Sequence, residues 1–267
     1  MPRTASSAPA TFSASRFIED VRAVVPVPGR SLEVDQLPDG RTSLVFRVLE
    51  EGRRGDVAVA GPRTRALYKR PTGVARALIV RLRPGWSTSL LGVTASAVTD
   101  QIVLLAELWG PSADELSSEL LAARSPQAAI DRLSDALTTR ALQTLEPASA
   151  RLARRAVRLF EGDEVRVDNV AKQLGVTARH LRRAFVETIG VGPKDFARTV
   201  RLQRALRRAE TSDDWSQIAA GTGYYDQAHL IADFRRFLGL TPSAFMKRAI
   251  ERGVRSASMR SARVAIS

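Results

Sequence analysis

Whatever chemistry this chain performs, it performs without thiols and almost without imidazoles. The sequence has no cysteine and two histidines, His180 and His229. Disulfides, thiolate metal sites and cysteine nucleophiles are therefore absent. Residues 1–150 contain neither residue type, which removes histidine-ligated metals and Ser-His-Asp hydrolysis from that half. Glu50 and Glu51 are adjacent carboxylates, but at a turn they read as a solvated pair. The two histidines sit 49 residues apart and suggest no metal site; His229 reads as a polar contact or inter-helix hydrogen bond. What the chain offers in quantity is the guanidinium group. It carries 41 Lys and Arg against 28 Asp and Glu, a net charge of +13. Residues 151–267 hold 23 of the basic and 12 of the acidic groups, a net of +11, so the first 150 residues carry only +2. Positive charge gathered in one half is the footprint of a surface that displaces counterions from phosphates. The expectation is nucleic-acid recognition, with no enzyme activity, cofactor or metal.

The same half repeats itself. Leu181, Phe185, Gly190, Pro193 and Phe196 return, each 49 residues on, as Leu230, Phe234, Gly239, Pro242 and Phe245. Just upstream, Ala171 and Gly175 return 48 residues on as Ala219 and Gly223, so the second copy has one extra residue in its turn. This is an internal duplication.

Each copy reads as a helix-turn-helix. Val167, Val170, Ala171 and Leu174 give an apolar face at i, i+3, i+4, i+7, and Gly175 ends that helix in a left-handed conformation. Thr177 then caps a second helix built on Leu181 and Phe185. In the second copy Asp214 caps a helix with Trp215, Ile218 and Ala219, Gly223 makes the turn, and Asp226 caps a helix with Leu230 and Phe234. This layout places the second helix of each pair in a DNA major groove. The bland alternative is a helical bundle with two similar hairpins, and the segregated charge weighs against it. A linking helix from Pro193 to about residue 210 spans roughly 25 Å at about 1.5 Å per residue. With its flanking turns it can hold two recognition helices near the ~34 Å repeat of one DNA turn. Arg198, Arg201, Arg204, Arg207 and Arg208 circle that helix; most are expected to be solvated, with a minority touching phosphate.

The rest of the chain supports two domains. Residues 1–16, rich in Ser, Ala, Pro and Thr, read as a flexible tail and not a secretory signal. Residues 30–83 read as short strands: Leu44, Phe46 and Val48 alternate with Val45 and Arg47, and further strands are expected at 57–60, 66–68 and 77–82. Helical segments follow, including one capped by Ser125 with Pro126 at its first position. No run of 18 apolar residues suggests a membrane span. The expected fold class is α+β: a small antiparallel β domain with flanking helices at 17–147, then an all-α domain of two helix-turn-helix units joined by a long helix at 148–252, then a second tail at 253–267. The repeat has its own caps and apolar faces, so residues 146–254 are expected to fold and bind DNA alone.

The chain resembles the AraC/XylS regulators. The resemblance rests on Val170-Ala171-x3-Gly175, Thr177-x3-Leu181-x-Arg183-x-Phe185, Gly190-x2-Pro193, Gly223-Tyr224-x-Asp226-Gln227-Ala228-His229 and Phe234-x4-Gly239-x-Thr241-Pro242, over about residues 150–250. The phrases Pro38-Asp39-Gly40, Arg83-Pro84-Gly85, Leu91-Gly92-Val93 and Leu108-Trp109-Gly110 resemble a partner domain found in a subset of these regulators, which implies an effector or dimerisation module. Carried over position by position, the resemblance puts base reading on Arg179, Arg182 and Arg183 in the first recognition helix and on Gln227, Ala228, His229 and Ala232 in the second. Arginine suits guanine O6/N7, glutamine suits adenine N6/N7, and alanine can meet a thymine methyl. Lys172 and Arg198 lie on elements expected to flank the DNA backbone. The plain alternative for the arginines is a solvated basic face. One departure is Arg166, where the family often has a Ser or Asp cap. Alkyl-transfer repair proteins share a similar DNA-binding unit, but their acceptor thiols cannot exist in a chain without cysteine.

The resemblance implies a sequence-specific regulator of double-stranded promoter DNA, and the charge pattern without an export signal points to a cytoplasmic, nucleoid-associated protein. RNA polymerase, a small-molecule effector and a second copy of the chain are its candidate partners, with no membrane. The competing class is an architectural DNA-binding protein without sequence preference, which competitor DNA in a gel-shift distinguishes.

Overall fold

The strands form because alternate residues are apolar, and the sheet they build separates a core from a seam. The computed structural model describes residues 14–25, 34–49, 52–162 and 166–251. The expected tails therefore lie outside the described residues, apart from Ala14–Arg16, which form a 3-10 turn. Glu50 and Glu51 also lie outside them. Seven strands are described: β1 (Ile18–Val24), β2 (Val34–Gln36), β3 (Ser43–Leu49), β4 (Arg54–Ala60), β5 (Leu67–Lys69), β6 (Val74–Leu82) and β7 (Ile102–Leu104). Five make an antiparallel sheet in the order β1-β6-β3-β4-β7, and β2 pairs with β5 as a separate antiparallel ribbon. In β3 the alternation is complete: Leu44, Phe46 and Val48 are buried on one face, and Ser43, Val45 and Arg47 are half-buried on the other.

The buried face packs on helices α1 (Ser87–Leu91), α2 (Leu105–Trp109), α3 (Pro111–Ala122) and α4 (Pro126–Gln143). Ser125 caps α4 as expected, accepting the Ala128 N–H at 3.1 Å. Two strands depart from the sequence expectation. β1 precedes residue 30, and its alternation is broken by a register shift between Ile18 and Asp20 that buries Asp20, which bonds Arg22 at 2.8 Å. β7 occupies three residues and runs directly into α2, in a stretch read as helix alone.

The C-terminal domain holds α5 (Ala148–Glu161), α6 (Val167–Gln173), α7 (Ala178–Ile189), α8 (Pro193–Arg208), α9 (Trp215–Gly221), α10 (Gln227–Leu238) and α11 (Pro242–Glu251). It has two cores. Phe160, Phe185 and Phe196 meet in the first with ring centroids 5.5–6.2 Å apart. Phe234 stacks edge-on between Trp215 and Phe245 in the second. Burying one such phenylalanine contributes about 1.5–3 kcal/mol. The first half of α8 supplies Phe196 and Ala197 to one core, and its second half supplies Leu202, Ala205 and Leu206 to the other.

The two domains share a seam. Leu37 and Ala66 of the β domain pack against the second C-terminal core. Arg41 bonds Glu19 of β1 and reaches Glu161 of α5 at 3.1 Å. Arg154 of α5 donates to the Gly85 carbonyl at 3.2 Å and lies 4.2 Å over Trp86. Burial first, then the like charges of Arg16 and Arg158, bring its guanidinium down to about 10.

Candidate nucleic-acid interface

Capping fixes where the second helix of each pair begins. Thr177 accepts the His180 N–H at 3.1 Å to start α7, and Asp226 accepts the His229 N–H at 2.7 Å to start α10. The turns before them pass through Gly175 and Gly223, at φ 68° and 82°, a left-handed backbone that glycine adopts without steric cost. Asp214 accepts two N–H groups at the start of α9, whereas Arg166 makes no side-chain cap for α6, as its type predicts.

Burying Leu181, Ala184 and Phe185 turns the opposite face of α7 outward. Arg179, Arg182, Arg183 and Val186 are all exposed there, at i, i+3, i+4 and i+7. The matching positions of α10, each 49 residues on, are Ala228, Ile231, Ala232 and Arg235; Ile231 is half-buried and the others are exposed. The three arginines and two alanines expected from sequence thus lie on corresponding faces. Val186, Ile231 and Arg235 were missed, although the repeat offset with helical spacing points to them. Tyr225, 93% exposed in the turn before α10, was also missed.

The other expected residues are placed differently. Gln227 is exposed at the first turn of α10 and accepts a bond from the Ser216 hydroxyl at 3.2 Å. His229 is half-buried, its ring 5.2 Å from Tyr224 in an edge contact. Lys172 is exposed in the last turn of α6. Arg198 is drawn inward. Its Nε donates to Asp233 Oδ1 at 3.1 Å, its Nη2 bonds the same oxygen, and Asp233 is fully buried in α10. Burial first, then this carboxylate, pushes the neighbouring Tyr224 phenol above its ordinary range.

Other linking-helix arginines expected to be solvated are also engaged. Arg201 donates to the Gly223 carbonyl at 3.2 Å and lies 5.1 Å over the Tyr224 ring. Arg204 bonds the carbonyls of Glu161 and Gly162. Arg207 and Arg208 remain exposed. Sequence shows a guanidinium but not the distant carboxylate or carbonyl that claims it.

Among the described residues no cluster of His, Asp and Glu could hold a metal, and no helix is long and apolar enough to cross a membrane.

Residues 170–248 match a family described as a helix-turn-helix domain, and residues 16–104 match one described as a domain of unknown function, DUF6597. The chain is 36% identical over 81 residues to the HTH-type transcriptional regulator GlxA of Rhizobium meliloti (strain 1021), which covers 30% of this chain and 25% of that relative. The match thus spans a quarter of the relative's length. Similar solved structures include an AraC-type transcriptional regulator from Chromobacterium violaceum, with 25% identity over 41% of this chain and 96% of that chain at a TM-score of 0.35. ToxT from Vibrio cholerae is another, with 10% identity over 86% of this chain and 98% of that one at a TM-score of 0.45. The C-terminal region of this chain thus matches a helix-turn-helix domain, carried behind a β-sheet domain.

Proposed function

We propose that this chain is a sequence-specific DNA-binding transcription regulator that works in the cytoplasm and sets α7 and α10 into successive major grooves of a promoter. The observation that carries the reading is the pair of corresponding outward stripes, one on each capped second helix of a duplicated helix-turn-helix, in the half of the chain that holds +11 of the +13 charge. Arg179, Arg182 and Arg183 can each fork onto guanine O6/N7 or pair with phosphate. On α10, Ala228, Ile231 and Ala232 suit thymine methyls, with Gln227 and Arg235 as polar readers and His229 as support. Lys172 is a phosphate contact. Arg198 positions α10 through Asp233.

The test is selection of bound duplexes from a random pool, followed by titration of the enriched site against a scrambled one. A sequence-specific regulator enriches two half-sites and binds them about 10³-fold or more above scrambled DNA. Equal binding would instead make the protein an architectural binder.

Small-molecule control is the second part of the proposal, and it is supported by a cleft of about 480 Å³ between the outer face of the sheet and helices α8 and α11. That is within the usual size range of ligand sites. Its lining combines apolar Val45, Ala58, Ile79 and Phe245 with a set of cationic side chains. Most of those cations are neutralised: Arg47 pairs with Asp56, Arg81 with Asp39 and Arg248 with Asp35. Among the described residues Lys69 and Arg207 make no ion pair. Partial desolvation, then the like charges of Arg204 and Arg41, lower the Arg207 pKa. The chemistry fits a small anion with an apolar body. Decanoate at 100 times its Kd should stabilise the folded chain by about 2.7 kcal/mol, seen as a thermal shift that Lys69→Ala diminishes. No shift with decanoate or an aryl carboxylate would remove ligand control from this cleft.

A further inference from the structure

The β domain touches both reading helices at the same place, their C-terminal ends. At α7 the Thr99 hydroxyl lies 3.1 Å from the Gly190 carbonyl and 2.9 Å from that of Ala95, and the Ser87 hydroxyl reaches the Thr188 carbonyl at 3.4 Å. At α10 the Ala66 N–H donates to the Phe237 carbonyl at 2.7 Å and the Tyr68 phenol to the Leu238 carbonyl at 2.8 Å. Thr188 and Phe237 are matched positions of the repeat. The last carbonyls of a helix lack partners within it, so donors from outside complete both ends.

The loops that supply two of these four donors, Ala66 and Thr99, are residues 61–66 and 95–101, and they are tied to each other. The Asp100 carboxylate accepts both the N–H (2.9 Å) and the hydroxyl of Thr64, and lies 3.5 Å from Arg63. The Asp100 N–H donates to the Pro62 carbonyl at 2.9 Å, and the Gly61 N–H to that of Gln101 at 3.1 Å. The loops cross so closely that a Cβ on Gly61 would fall 1.7 Å from the Val98 carbonyl oxygen. Asp100 is the one non-glycine residue among those described with a left-handed backbone, at φ 60°. Such a conformation persists where the surroundings over-determine it.

A bonded path thus runs from Gly190 through Thr99, Asp100 and Thr64 to Ala66 and Phe237. Within the C-terminal domain, α7 and α10 belong to separate cores that share α8.

We propose that loops 61–66 and 95–101 form a crossbar that fixes the separation and rotational phase of α7 and α10, making Thr99, Asp100 and Tyr68 positioning residues for the spacing of the two DNA half-sites. The proposal rests on α7 and α10 being the DNA readers. One inserted base pair rotates a half-site by about 35°, since a turn holds about 10–10.5 base pairs. Two heads held at a fixed phase lose their joint engagement when a half-site rotates away, and that engagement is worth about 10²–10⁴-fold. Because β5 places Leu67 and Lys69 in the wall of the 480 Å³ cleft and Tyr68 on the end of α10, an occupant of the cleft would act on the crossbar directly.

Two measurements on the full chain test this. The first needs no DNA. The sequence has no cysteine, so Val186→Cys with Arg235→Cys places one spin label on each reading helix at matched, exposed positions. One narrow distance distribution is expected, broadened by Thr99→Val with Tyr68→Phe and by Asp100→Ala. Asp100→Asn should keep it narrow, because asparagine tolerates the left-handed backbone and retains an acceptor for Thr64. Distributions that all four chains share overturn the crossbar.

The second measurement is affinity for the selected site with zero, one or two base pairs inserted between half-sites. Wild type should lose on the order of tenfold or more per insertion, and the Thr99→Val/Tyr68→Phe chain less than about threefold, with little change on the uninterrupted site. Identical spacing profiles overturn the proposal while leaving DNA reading intact. If no sequence is selected at all, the DNA reading itself fails, and the label distances still decide whether the crossbar holds the helices. Should Asp100→Ala fail to fold, the near-isosteric Thr99→Val/Tyr68→Phe pair carries both measurements.

Discussion

The first reading helix turns Arg179, Arg182, Arg183 and Val186 to solvent; the second, at the matching positions, turns Ala228, Ile231, Ala232 and Arg235. Inside, the difference runs the other way. The first copy is apolar where the second is polar: Val176 stands at the position of Tyr224, and buried Ala184 at that of buried Asp233. What the copies share are the side-chain caps of their reading helices, their C-terminal glycines and their phenylalanines. Those positions answer to backbone geometry and core packing, which both copies need equally. The outward stripes answer only to what each helix meets, and they have diverged. The first helix is suited to charge and guanine, the second to methyl groups and shape.

The comparison can be broken at its core. If the two copies are held alike, Phe185→Ala and Phe234→Ala should each cost about 3–5 kcal/mol in denaturant unfolding. A cost confined to one of them would show that the copies no longer share a folding logic.

The buried polar pair should matter only in the second copy. Arg198→Ala leaves the Asp233 carboxylate buried and unpaired, which should cost about 2–3 kcal/mol after allowing for the partial exposure of Arg198. Adding Asp233→Ala and changing Arg198 to Met should recover most of that stability. If the double variant is as unstable as Arg198→Ala, the unpaired carboxylate is not the source of the loss.

On DNA the asymmetry should appear as salt dependence. Arg183→Ala should cost about 1–3 kcal/mol on the preferred site and much less on scrambled DNA, relaxing specificity at one or two positions. Lys172→Ala should weaken both DNAs alike and lower the salt slope by about one. Equal losses on both DNAs for Arg183→Ala would make that residue a backbone contact and move guanine reading to Arg179.

The smallest effects concern the helix caps, where Arg166 occupies in the first copy the slot that Asp214 fills in the second. Arg166→Asp should stabilise the chain by about 0.5–1 kcal/mol, and Thr177→Ala should destabilise it by about 1 kcal/mol. A destabilising Arg166→Asp would mean that the arginine has a role the cap cannot replace.

Much of this scaffold was legible from sequence because its signals are local. A cap sits within three residues of the N–H it accepts, and β3 announces itself by strict alternation. β1 was hidden because its bulge buries an aspartate where the alternation calls for an exposed residue. β7 was hidden because three residues are too few to show a period. At the candidate interface, the three arginines of the α7 stripe came from the family resemblance, and helical spacing then extends the stripe to Val186. Arg198 read as a phosphate contact because its partner Asp233 lies 35 residues away on another helix. Thr99 and Asp100 gave no signal at all, since their meaning depends on loops that meet only in the folded chain.

The division of α8 between two cores has a consequence for how such a protein changes over generations. A change in the packing around Phe185 falls on Phe160 and Phe196, and one around Phe234 on Trp215 and Phe245. Neither change needs the other half to respond, since substitutions without shared partners add nearly independently. If the two second helices read DNA as proposed, a lineage can therefore rewrite one word of its binding site at a time while the other still holds the protein on the DNA.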